Sequence, residues 1–197
     1  MKVIERLLLT ALALAPVVGR AGDVSAETKA VESVRKLYAE TVRRHPIGLP
    51  QGGDMQAFAP LLTHALRTKI AHAAACGADW HRQNPGNDLK PTYGWLELGI
   101  FSGGIEHVSP SAFVVEQPVL QQNSVIRVPV TLVRVERSEG PWIWHVSVSV
   151  ASENGRYLID DVTFEGTRPD GQEPRLSWFL SEGCDGARWV GLGHASE

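Results

Sequence analysis

Asn154 and Gly155 stand between two runs rich in β-branched and aromatic residues, and this dipeptide constrains the chain more than any other part of its sequence. A two-residue type I′ hairpin loop needs positive φ at both positions, which asparagine and glycine tolerate and most side chains do not. The flanking runs, at about 142–151 and 156–165, must then pair antiparallel in one register. In that register Glu153 faces Arg156, Val150 faces Ile159, Ser149 faces Asp160 and Val148 faces Asp161. One face carries Trp142, Trp144, Val146, Val148, Val150, Tyr157, Ile159, Asp161 and Thr163. The other carries Ile143, His145, Ser147, Ser149, Leu158, Asp160, Val162 and Phe164. The first face is the more apolar and is expected to pack on helices, while the second is mixed and partly wet.

Two further runs, at about 112–120 and 125–136, have the same composition and are bounded by turn residues at Gln121 to Ser124 and Arg137 to Pro141, which extends the hairpin into a meander. The first half of the chain has a helical period instead. Residues 26–45 read as one helix, with Ser25 as cap, Val31, Val34, Tyr38 and Val42 on a stripe, Arg43, Arg44 and His45 at the negative end, and Pro46 as stop. After a glycine-rich loop, Asp54 caps a second helix running to about Arg82, with Pro60 in its first turn and Leu62, Leu66, Ile70, Ala73, Gly77 and Trp80 on one side. Residues 83–110 lose a clear period but hold Trp95, Leu96, Leu98, Ile100 and Phe101, too apolar for a free linker; a short helix or strand within 93–105 is expected. A last short helical pattern runs from about Arg175 to Ser181, followed by a tail bearing Cys184 and Trp189.

The N-terminus has the order of an export signal. Lys2 and Arg6 precede an apolar run from Leu7 to Val18, and small residues follow at Gly19, Ala21 and Ala26. About a dozen apolar residues fall short of the roughly 20 that a membrane span requires. The expected organisation is therefore a signal peptide over residues 1–21, with cleavage possible as late as residue 26, and a single α+β domain over 22–197 in the periplasm or outside the cell. No cysteine follows the run to carry a lipid, so no stable membrane anchor is expected after cleavage. Cys76 and Cys184 are the only cysteines, and in an oxidising compartment they are expected to pair; two separately buried thiols are the alternative. The formal charge of -3, without any long basic stretch, argues against nucleic acid.

Two helices, a structured crossover, four meandering strands and a short terminal segment resemble the cone-shaped, cystatin-like fold of nuclear transport factor and ketosteroid isomerase, as does the local run Tyr157 to Val162 after Asn154 and Gly155. The stretch Ala73 to Arg82, with Cys76 and Trp80, and the segment Trp95 to Gly104 resemble a family of exported bacterial proteins. The resemblance implies N-terminal helices on a curved four-stranded antiparallel sheet with a pocket at the open end of the cone. It implies no reaction, because this fold hosts enzymes, carriers and interaction modules alike.

Candidate chemistry is sparse. Asp161, placed beside Val148 on the apolar face, is the weak candidate for a general base of isomerase or hydratase type, with Tyr93 or His107 as donor. His145, Ser147, Ser149 and Asp160 have the composition of a triad, but His145 and Ser149 lie about 13 Å apart on one strand, so a wet sheet face explains them. His72 and Cys76 are one helical turn apart without further ligands to complete a metal site. No phosphate-binding glycine loop is present, and no cofactor is expected. Tyr93, Trp95 and Phe101 are the candidate contacts for a protein partner or a small apolar ligand. The leading expectation is a non-enzymatic binding module of the bacterial envelope, for instance an inhibitor or immunity protein; the alternatives are the pocket enzyme using Asp161 and a carrier of an apolar ligand.

Overall fold

A computed structural model describes residues 21–86, 98–104, 108–120, 125–135, 140–168 and 170–192. In chain order the elements are helices α1 (Ala21–Arg44), α2 (Gly52–Phe58) and α3 (His64–Gln83), strands β1 (Ala112–Val115), β2 (Val119–Leu120), β3 (Ile126–Val135), β4 (Pro141–Glu153) and β5 (Arg156–Phe164), helix α4 (Leu176–Phe179), and a terminal hairpin of β6 (Cys184–Asp185) and β7 (Arg188–Trp189). This is the expected α+β arrangement, helices first and an antiparallel sheet after them. β3, β4 and β5 lie side by side, and β1 and β2 share the outer lane beside β3. The first expected strand is split in two at Glu116 to Pro118, and the pairing with β3 shifts by one residue across the split, where Pro118 has no N–H to give the ladder.

The hairpin forms where the sequence places it, with Asn154 at φ 52° and Gly155 at φ 75°. Beyond the loop the expected register holds only as far as Val150 opposite Ile159. There a β-bulge intervenes: Asp160 is an extra residue on β5, and the ladder resumes with Ser149 opposite Asp161 and Val148 opposite Val162. One inserted residue reverses the facing of every residue after it. Val162 and Phe164, expected on the wet face, are buried in the core, and Asp161 is turned to the opposite side from Val148.

The expected continuous helix from Asp54 to Arg82 is also broken. A single turn of 3-10 helix, Ala59–Leu61, holds Pro60, and Leu62 is extended at φ -99° and ψ 147°. Thr63 then starts α3 afresh, its hydroxyl accepting from the Leu66 N–H at 3.2 Å. The break and the bulge are fitted to each other: the Thr63 N–H donates to the Ile159 carbonyl at 2.9 Å and its hydroxyl donates to Asp160 Oδ1 at 3.0 Å. Glu153 adds a second strand carboxylate to the same helix end, accepting from the His64 N–H at 2.9 Å.

The core lies between the inner sheet face and α1 and α3. Val34, Leu37 and Tyr38 of α1 and Leu66 and Ile70 of α3 meet Val128, Val130, Leu132, Val148, Val150 and Ile159. The loop at 98–104 completes it as a hydrogen-bonded turn: Ser102 and Gly103 both donate to the Gly99 carbonyl, and the Tyr38 hydroxyl donates to the Phe101 carbonyl at 2.8 Å. Burial pushes the Tyr38 phenol well above its ordinary pKa, so it stays a donor. Gly103 is required here, because at φ 71° a Cβ would sit 2.6 Å from the Phe164 ring.

Cys76 and Cys184 are joined across 108 residues of sequence, fastening the tail to α3. The Trp189 N–H donates to Asp79 at 2.8 Å, which with Gln83 and Arg82 holds that carboxyl below its ordinary pKa. Replacing both cysteines by alanine is expected to lower the unfolding free energy by about 2–5 kcal/mol, read from urea titration of the purified protein. A loss below about 1 kcal/mol would mean that tail docking does not depend on the bridge.

Candidate functional site

The sheet leaves a groove where β5 stops short of β4. The last β5 pair is Phe164 opposite Val146, so β4 continues from His145 back to Pro141 with β3 on one side and no strand on the other among the described residues. Gly166, at φ 109°, is where the chain departs, and the Phe164 N–H turns away to donate to the Pro174 carbonyl at 2.9 Å. The departing loop is held against the outer sheet face by Arg127, which bonds Glu173 at 2.5 Å and Thr163 at 3.1 Å, and against α4 by the Arg168 guanidinium, 4.1 Å from the centre of the Trp178 ring.

The resulting concavity has a volume of about 390 Å³. Its apolar wall is Trp142, Trp144, Val146 and Phe164, and the facing wall is Ser102, Gly103, Gly104 and Val108. Ile143, His145 and Glu165 complete it along the strand edge. Trp144 is fixed by its indole N–H, which donates to the Ser102 carbonyl at 2.8 Å and so ties the two walls together. Trp142 and Ile143 remain 45% and 58% exposed, so the mouth opens to solvent. His145 Nδ1 lies 3.0 Å from the Thr131 hydroxyl, which in turn lies 2.6 Å from Glu116 Oε1. With the hydroxyl donating to the carboxylate, Nδ1–H donates to the hydroxyl.

Of the residues singled out from sequence, Tyr93, Trp95 and His107 lie outside the described residues. Phe101, expected as a ligand or partner contact, is a core residue instead: it is fully buried with its ring 4.7 Å from that of Phe58. Asp161, expected on the apolar face, does not line the groove. The bulge turns it toward α4, where Oδ1 accepts from the Ser177 N–H at 3.0 Å and Oδ2 from the Ser177 hydroxyl at 2.6 Å. It acts as a cap supplied by a neighbouring strand. His72 is exposed, and the Cys76 sulfur one turn away is in the disulfide. The sequence reading missed Trp142 and Trp144 as groove residues, treating them as core. The signal was their position at the far end of the longest strand, beyond what the shorter partner covers.

No protein-family model matches the chain, and no curated protein matches it either.

Burial raises the Asp161 pKa, outweighing the opposing pull of the Ser177 and Val162 bonds and of Arg175. A carboxyl whose folded pKa is raised binds its proton more tightly in the folded state. Its contribution to stability is thus full below the ordinary carboxylate range and is lost as pH rises through the folded pKa. The stability of the protein relative to an Asp161→Asn variant should therefore fall as pH is raised from about 3 to about 7 in parallel urea titrations. A relative gain with rising pH would show instead that the Ser177 bonds outweigh burial.

Proposed function

We propose that the protein is exported through a cleavable leader ending between residues 21 and 26, and that it acts without catalysis, as a binding module that holds a partner or a small apolar ligand in the groove beside β4. The groove carries this reading. One wall is apolar and aromatic, the mouth is open, and the titratable side chains along the groove are His145 and Glu165. That composition suits recognition by contact and desolvation more than proton transfer. An inhibitor or immunity protein acting on a secreted enzyme would use such a surface.

Export is supported by the Cys76–Cys184 bridge, which belongs in an oxidising compartment, and among the described residues no helix is long and apolar enough to cross a membrane. An isomerase or hydratase reading gains nothing from the geometry, since Asp161 is bonded to Ser177 away from the groove. A carrier that secludes its ligand needs more closure than a groove with Trp142 and Ile143 at its lip.

The neutral apolar probe N-phenylnaphthylamine should bind at one saturable site, with affinity reduced roughly tenfold by Trp142→Ser and unchanged by Val119→Ser, which alters an exposed apolar residue outside the groove. Absence of saturable binding, or binding indifferent to Trp142→Ser, would overturn the assignment of the groove.

A further inference from the structure

We propose that the occupant of the groove is an extended peptide segment of a partner protein, which adds to the sheet as a strand along the edge of β4 that no described strand covers, in the lane that β5 leaves at Phe164. This rests on the reading of the groove as a binding site and goes further, because it names what the site recognises.

The backbone carries the argument. In an antiparallel ladder, successive residues direct their N–H and C=O groups alternately to one neighbouring strand and the other. Because the Phe164 N–H points away from β4 to Pro174, Phe164 and Val146 form a non-bonded pair, and Thr163 with Ser147 is the bonded pair beside it. Ser147 and Ser149 therefore send their main-chain groups toward β5. His145 and Ile143 have the same parity and send theirs into the vacated lane, where no described backbone group meets them. The groove thus presents two N–H donors and two C=O acceptors in a row, repeating about every 6.8 Å. A compact apolar ligand would desolvate these groups and leave them unpaired, at a cost of about 1–3 kcal/mol each. An extended main chain has the same repeat and satisfies all four.

Among the described residues the edge itself is unguarded. Free strands are commonly blunted by lysine, proline or a bulge. Residues 141–145 carry only Pro141, at the start, and no lysine or arginine. Charge then selects the occupant and its direction. Glu165 is the acidic residue of the groove, at the point where β5 leaves. A segment running antiparallel to β4, as β5 does, begins beside Glu165 and so brings its N-terminal end there; a basic residue just ahead of the ladder, turned out of the lane because Phe164 already lies opposite Val146, complements the carboxylate. Its next residues face His145, Trp144 and Ile143 in turn. By alternation the side chain opposite Trp144 enters the groove between Trp144 and Gly103, and an apolar one fits. A second copy of this chain, offering its own 141–145 edge, has no lysine or arginine there to meet Glu165.

The probe is the N-acetylated peptide Lys-Thr-Val-Thr-Val-Thr, whose first two threonines face His145 and Ile143. It should bind with millimolar or tighter affinity, measured by calorimetry, and N-methylation of those two threonines should weaken binding by at least about tenfold. Replacing its lysine by glutamate should weaken it several-fold at low salt. On the protein side, Ile143→Pro removes a donor that β3 does not use, from an exposed side chain, so it should abolish peptide binding. Equal affinity of the parent and N-methylated peptides overturns the proposal, and decides it even if Ile143→Pro does not fold. If the apolar probe still binds in a Trp142-dependent way, the groove reading survives that result; if it does not, both readings fall. A dimer that excludes the peptide and disappears in Ile143→Pro would assign the edge to a second copy and overturn the proposal as well.

Discussion

The pairing of β4 with β5, and the one extra residue at Asp160 within it, governs how the rest of this structure is arranged. Strand facing has a period of two, so a single inserted residue exchanges the two sides of everything beyond it. Before the bulge Ile159 faces the core; after it, Val162 and Phe164 do. Without the insertion, Asp161 and Thr163 would face the helices, and two large apolar side chains would face outward. The bulge also supplies an acceptor where one is needed: Asp160 receives the Thr63 hydroxyl, and Thr63 in turn caps α3. The strand irregularity and the helix start hold each other in place.

From the same parity follows the site. Phe164, brought inward by the bulge, packs against Gly103, and the loop at 98–104 can approach only because that residue has no Cβ. Tyr38 from α1 grips the loop at the Phe101 carbonyl, and Trp144 from β4 grips it at the Ser102 carbonyl. One wall of the groove is thereby fastened to the helical layer and to the sheet at once. The other boundary is set by the turn away at Gly166, which ends β5 while β4 still has five residues to run, Pro141 to His145. The prematurely ended strand leaves an edge that no described strand covers.

Much of this was legible in the chain. Asn154 and Gly155 fixed a hairpin because few other pairs adopt two positive φ values, and the helical stripe through Val34 and Tyr38 marked the face of α1 that is buried. Two cysteines in a chain with a leader-like start implied the bridge that is found. The bulge was harder to see, since alternation was extrapolated through Tyr157 to Phe164 as if unbroken. Its trace is present nonetheless: Ile159 and Val162, both apolar, are three residues apart around two consecutive aspartates, which a strict two-residue period does not allow. Pro60 was expected in the first turn of one long helix, whereas it lies in a separate single turn after which Leu62 is extended and Thr63 starts a new helix. The groove had no local signature, because it depends on where one strand ends relative to another.

Native-state hydrogen exchange along β4 of the unliganded protein tests the central claim most directly. If β5 ends as described, the Ser147 and Ser149 amides are strongly protected, and those of Ile143 and His145, on the same side of the same strand, exchange at close to the rate of exposed amides. Protection of Ile143 and His145 equal to that of Ser147 would mean that the edge is already paired, and would contradict this account of the groove.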